Sequence, residues 1–107
     1  MKPIVTAALR EYLESHSTLH QLRQDFVLCY AKQVPMSAIW LKEGVLRTNF
    51  DRSTSKDWHQ SGLYFLDELS HHEPLPTSVS VLAGSKFWLV TKSEISRCLQ
   101  LAGEPLF

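Results

Sequence analysis

The sequence predicts a mainly-β single domain with flanking helices, its strands antiparallel and arranged as a sandwich or roll. Three observations carry this. Apolar residues recur at helical spacing near the two ends of the chain. Between the ends, strand-like runs bounded by turn residues follow one another about every dozen residues. The chain has 107 residues, 44% of them hydrophobic, which fits one domain with one core.

Taken in order, Pro3 to His16 reads as a helix. Pro3 suits its first turn, and Val5, Leu9, Tyr12 and Leu13 make one apolar stripe. Ser17-Thr18 caps a second short helical turn carrying Leu19 and Leu22. Asp25–Lys32, DFVLCYAK, reads as a strand, and Pro35 interrupts. Ser37–Phe50 reads as two strands around a turn at Lys42-Glu43-Gly44, with Gly44 supplying the turn's freedom. Asp51–Lys56 is polar and reads as a loop, and Asp57-Trp58-His59-Gln60 starts another strand. The stretch Gly62–Pro76, GLYFLDELSHHEPLP, holds a short apolar helix-like run. Thr77–Lys92 gives two more strands around Ala83-Gly84-Ser85. In the first, Val79 and Val81 alternate with Ser78 and Ser80, so one face is buried. The run Phe87–Val90 is apolar on both faces. Thr91 and Glu94 then have the spacing of a capping box. Ile95, Cys98, Leu99 and Leu101 follow on an amphipathic helix that Gly103 and Pro105 close. The domain plan is therefore N-terminal helices over 1–24, strands over 25–91 with an insert at 62–76, and a C-terminal helix over 92–102.

Eleven basic residues balance eleven acidic ones. Zero net charge argues against direct nucleic-acid binding, which needs a cationic face. It favours self-association over repulsion. The N-terminus turns polar at Arg10-Glu11 before any leader-like apolar region develops, and no window is long enough to span a bilayer. Cys29 and Cys98 sit far apart in apolar settings and read as buried, reduced thiols of a cytoplasmic protein.

The order helix, strands with one helical insert, helix is carried by particular residues: IWLKEGVLRTNF (Ile39–Phe50), LYFLDELS (Leu63–Ser70) and SVSVLAGSKFWLVTKSEI (Ser78–Ile95). Together they resemble the cyclic-nucleotide-binding domain, more narrowly the sensor domain of Crp/Fnr-type bacterial regulators, over Leu19 to Leu101. The resemblance implies an eight-stranded, jelly-roll-like antiparallel β-roll with flanking helices. It also implies that the insert is the ligand cassette. In the family's nucleotide-binding form a glycine lets backbone amides approach the cyclic phosphate, a glutamate holds the ribose hydroxyl and an arginine pairs with the phosphate.

This cassette departs from that form. Phe65 matches the aromatic position, but Leu66 stands at the glycine and Asp67 or Glu68 near the glutamate. Leu75 or Pro76 stands at the arginine, before Thr77-Ser78. Leu66 is expected to obstruct the backbone approach, and a buried phosphate without arginine is poorly compensated. The expectation is a degenerate sensor or regulatory module without ordinary cyclic AMP or cyclic GMP binding. Leu63, Tyr64, Phe65, Leu66, Leu69 and Val79 would line an apolar pocket, with Asp67, Glu68, Thr77 and Ser78 beside it. Arg47, on a strand, either faces that pocket or points to solvent. The ligand would be small and apolar or weakly polar, with no cofactor and no metal.

Other groups suggest no chemistry. Adjacent His71 and His72 read as a polar loop end rather than ligands of one ion, and His16 and His20 lack a third ligand. Asp67 and Glu68 point apart on a helix, which does not suit paired acid–base catalysis, and no nucleophile motif is present. An enzyme is not expected. Trp40 and Trp88 read as core, and Trp58 as the exposed aromatic. Two alternatives stand beside the sensor. One is an interaction scaffold with a filled roll, forming a homodimer or binding a protein partner. The other is a Crp/Fnr-type transcriptional regulator lacking its DNA-binding half.

Overall fold

Side chains alternate along a strand, so a strand that is apolar at every position must be covered on both sides. The third strand over Ala38–Leu41 and the last over Phe87–Val90 are built that way, and the fold follows from covering them. The computed structural model describes residues 7–50 and 53–102, with side chains through residue 97. The elements are α1 (Ala7–His16), β1 (His20–Gln21), β2 (Phe26–Cys29), β3 (Ala38–Glu43), β4 (Leu46–Asn49), β5 (Ser55–Trp58), β6 (Gly62–Tyr64), α2 (Leu66–His71), β7 (Ser78–Val81), β8 (Lys86–Val90) and α3 (Lys92–Ala102). The strands make two antiparallel sheets of four, ordered β1-β8-β3-β6 and β2-β7-β4-β5. Among the described residues no helix is long and apolar enough to cross a membrane.

The first sheet is the common wall of two apolar clusters. Its inner face, with Ile39, Leu41, Tyr64 and Phe87, meets Leu46, Val79 and Val81 of the second sheet. Its outer face, with Ala38, Trp40, Leu63, Trp88 and Val90, is roofed by Leu9 and Leu13 of α1, Leu66 and Leu69 of α2 and Ile95 of α3. The register explains the division: Trp40 lies opposite both Leu63 and Trp88, while Ile39 lies opposite Tyr64 and Leu89. The second sheet presents Arg47, Asn49, Asp57, Ser78 and Ser80 outward, which is why β7 alternates and β8 does not.

Several local expectations hold. The expected one-sided burial of β7 is observed. Thr91 and Glu94 form the reciprocal capping box at the start of α3: the Glu94 amide donates to Thr91 Oγ1, and the Thr91 amide to Glu94 Oε1, both at 3.2 Å. Cys29 is buried and free. Its thiol donates to the carbonyls of Tyr30 and Gln33, and burial pushes its pKa up.

Others need correction. Residues 19–22 do not form a helical turn. His20 and Gln21 pair with β8, and Leu19 and Leu22 are exposed. The N-terminal segment 1–24 therefore contributes a strand to the roll, and only one described helix. The turns at 42–44 and 83–85 are not hairpins, since β3 and β4 lie in different sheets, as do β7 and β8. Both are corners between the sheets. β5 begins at Ser55, inside the segment read as loop. Pro3, Val5, Gly103, Pro105 and the side chains of Cys98, Leu99 and Leu101 lie outside what the structure describes.

Candidate functional site

The insert between β5 and β7 contains β6 and α2. Gly62 opens it at φ +143°, and Phe65 precedes α2 in the left-handed region at φ +70°. A bulky residue there is strained. Burial of the Phe65 ring in the inner cluster holds it in place, with Tyr64 beside it at 6.1 Å between centroids. The Leu69 amide then closes the first turn on the Phe65 carbonyl at 3.1 Å. His72, at φ +53°, ends the helix, and the Glu73 amide returns to the Glu68 carbonyl. His71 and His72 are both exposed at this end. The following segment is pinned at Leu75, whose amide donates to Gln33 and whose carbonyl accepts from Lys32.

This path leaves a cleft of about 250 Å³ between the insert and the β4–β5 hairpin. Glu68, Leu75, Pro76 and Thr77 form one wall, and Thr48, Phe50 and Trp58 the other. Four of these seven are aromatic or aliphatic. The polar wall atoms are organised. Trp58 Nε1 donates to Thr48 Oγ1 at 3.1 Å, and that hydroxyl donates to the Lys56 carbonyl at 3.3 Å. The Lys56 ammonium lies over the Trp58 ring, 4.3 Å from its centroid. Among the described lining residues Glu68 is the only charged one.

The structure divides the residues expected to form the pocket. Glu68 and Thr77 line the cleft. Tyr64, Phe65 and Val79 are buried in the packed interior between the sheets. Leu63, Leu66 and Leu69 face the other way, into the cluster under the helices. For Leu63 the cause is strand alternation, since it sits beside Tyr64 on β6. For Leu66 and Leu69 it is their shared face on α2. Leu66 therefore does not obstruct the cleft with its side chain. Asp67 is exposed, and Ser78 faces outward on β7.

Arg47 also turns away from the cleft. It forms a two-point ion pair with Asp57 on the outer face of the second sheet, at 2.7 and 3.1 Å. The pair raises the Arg47 pKa and holds Asp57 below its usual range, chiefly through the shared hydrogen bonds. Trp40 and Trp88 are core, as expected. Trp58 is half-buried rather than exposed, because its indole is bonded into the hairpin. Thr48 and Phe50 were not singled out by sequence. The one signal for Thr48 is its alternation with Leu46 along β4, which puts both on the inner side, while Phe50 follows the end of the strand and is exposed at the cleft.

No family model matches the sequence, and no curated protein matches it. Solved structures do. One comes from work on a cyclic-GMP-dependent signalling pathway that regulates bacterial phytopathogenesis. It aligns with a TM-score of 0.73 at 12% identity, over 95% of this chain and 85% of that one. Another is the catabolite activator protein of Thermus thermophilus, with a TM-score of 0.67 at 8% identity, over 92% of this chain and 49% of that one. This chain thus spans about half of the activator's length. The fold is the antiparallel β-roll of cyclic-nucleotide-binding domains, as the resemblance implied.

Proposed function

We propose that the protein is a cyclic-nucleotide-binding-like sensor or regulatory module whose cleft takes a small, weakly polar, flat ligand instead of a cyclic nucleotide. The observation that carries this is the makeup of the cleft. It lies where the insert meets the roll, its surfaces are the Phe50 and Trp58 rings with Leu75 and Pro76, and its one described charged lining group is the acid Glu68. An acid opposes a phosphate, and aromatic rings reward a flat, apolar ligand. The fold supports a regulatory role by likeness alone, since function resides in the site.

Calorimetry and thermal shift test the reading. Cyclic AMP and cyclic GMP are expected to give no micromolar binding, while a panel of neutral heteroaromatic compounds contains members that raise the melting temperature by mass action. Trp58→Ala should abolish that rise. Micromolar affinity for either cyclic nucleotide would overturn the proposal.

A second reading has its own support. Tyr64, Phe87, Leu41, Leu46, Val79 and Val81 fill the space between the sheets, as in an interaction scaffold whose roll is closed by its own side chains. No thermal shift with any ligand, together with a concentration-dependent dimer, favours that reading over the sensor.

A further inference from the structure

The cleft beside the insert holds polar atoms of two kinds, those already used and those left open. Thr48 Oγ1 is used: it accepts from Trp58 Nε1 at 3.1 Å, and its proton goes to the Lys56 carbonyl. Thr77 is 5% exposed, yet its hydroxyl has no hydrogen-bond partner among the described residues. Nor is that hydroxyl sealed inside the protein, since the one sealed and unpaired side-chain nitrogen or oxygen among the described residues is Trp88 Nε1. Its opening is therefore the cleft, whose wall Thr77 helps to form. A buried hydroxyl ordinarily has a partner, so one left open at a cleft marks a place for a ligand atom.

Glu68 stands on the same wall. Successive residues of a helix are about 100° apart. Leu66 and Leu69 take the side of α2 towards the helical cluster, which leaves Glu68 on the side of the cleft, where it is half-buried. Its carboxylate has no ion-pair or hydrogen-bond partner among the described residues. On the other wall the Phe50 ring is 57% exposed and meets no other ring and no cation among the described residues. The second ring of that wall already attracts a cation from the chain itself, the Lys56 ammonium at 4.3 Å from the Trp58 centroid. Lys56 is exposed to solvent, and no described lining residue is basic.

We propose that this cleft selects a flat aromatic compound bearing a compact, delocalised nitrogen cation with N–H donors, such as an amidine. The proposal rests on the reading of the cleft as a ligand site and adds the charge of its occupant. A carboxylate only accepts, so Glu68 calls for N–H donors, and a planar cation presents two of them side by side. The Thr77 hydroxyl accepts as well as donates, so it takes a further N–H of the ligand. Aromatic faces attract such a cation, and Phe50 offers one that nothing else occupies. A neutral compound of the same shape keeps the ring contacts and loses the charge. An anion of the same shape meets the unpaired charge of Glu68.

The test is calorimetry of the full chain at constant ionic strength with three compounds of one shape: benzamidine, benzamide and benzoate. The expected order is benzamidine at least about tenfold tighter than benzamide, with benzoate not binding. Glu68→Gln should bring benzamidine down to the affinity of benzamide, and its unchanged benzamide affinity shows that the variant is folded. Thr77→Val keeps the side-chain shape and should weaken benzamidine severalfold. Equal affinity of benzamidine and benzamide for the unaltered protein overturns this proposal alone and leaves the cleft as a site for neutral ligands. Benzamidine affinity unchanged in either variant also overturns it. Binding of none of the three compounds overturns it together with the ligand-site reading.

Discussion

Gly44 and Gly84 both hold a positive φ, +118° and +83°, but their surroundings differ. A Cβ on Gly84 would meet nothing within 4 Å, whereas one on Gly44 would lie 2.6 Å from the Ser85 Cα. The two inter-sheet corners touch there, and the Val45 amide donates to Ser85 Oγ at 3.0 Å. Gly84→Ala should therefore cost only the backbone strain, about 1 kcal/mol. Gly44→Ala adds displacement of the neighbouring corner and should cost about 3 kcal/mol. Urea unfolding of the two variants measures the difference, and equal costs would remove the corner contact from the account. Charge at residue scale is milder. Arg47 and Asp57 are 40% and 34% exposed, so solvent screens the pair. A lowered Asp57 pKa means that the pair's contribution is present above the ordinary aspartate range and is lost as pH falls through the lowered value. Carbon-13 titration of the carboxyl should show Asp57 below 3.8 and returning toward that value in Arg47→Gln. An unchanged midpoint in the variant would show that Arg47 is not the cause.

At the scale of elements, what the sequence disclosed depended on how local the cause is. The capping box of α3 is a four-residue interaction, and Thr91 and Glu94 declared it outright. Its strength is testable: Thr91→Ala should destabilise the protein by about 1 kcal/mol. Glu94→Ala should cost more, because Glu94 Oε2 also accepts from Ser17 Oγ at 3.2 Å and so ties α3 to the end of α1. Thermal melts that rank Thr91→Ala as the more damaging would contradict that tie. The alternation of β7 was equally local. By contrast β1 is two residues long and exists because β8 offers an edge, which no property of His20 or Gln21 announces. The corners at 42–44 and 83–85 carry the same glycine signal as hairpins, and only the pairing of β3 with β8, and of β7 with β4, tells them apart. The lining of the cleft shows the same contrast. Glu68 and Thr77 come from the insert and the segment after it, while Thr48 and Trp58 are brought to it by the β4–β5 pairing and Phe50 lies just past the end of β4. Leu63 and Tyr64, expected together at one pocket, are neighbours on β6, so alternation sends them to opposite faces of the first sheet.

At the scale of the whole molecule, the two apolar clusters raise the question of whether the protein folds as one unit or two. They are the two faces of the same sheet, and adjacent residues such as Ile39 and Trp40 belong to different clusters. Loosening one face therefore moves the backbone that carries the other, and the closely packed interior cannot absorb the change locally. Leu13→Ala removes side chain from the helical side and Leu46→Ala from the space between the sheets; both residues are fully buried. Each should cost about 2–5 kcal/mol, a large share of the 5–15 kcal/mol typical of a domain. A single cooperative unit requires that each variant shift the entire transition. Far-ultraviolet circular dichroism and tryptophan fluorescence should give the same urea midpoint within each variant. Trp40 and Trp88 report on one face, Trp58 on the other. If Leu13→Ala moved the helical signal alone and left the Trp58 fluorescence midpoint in place, the helices would be a separable cap. The first sheet would then not be the element that makes the roll and its helices one structure.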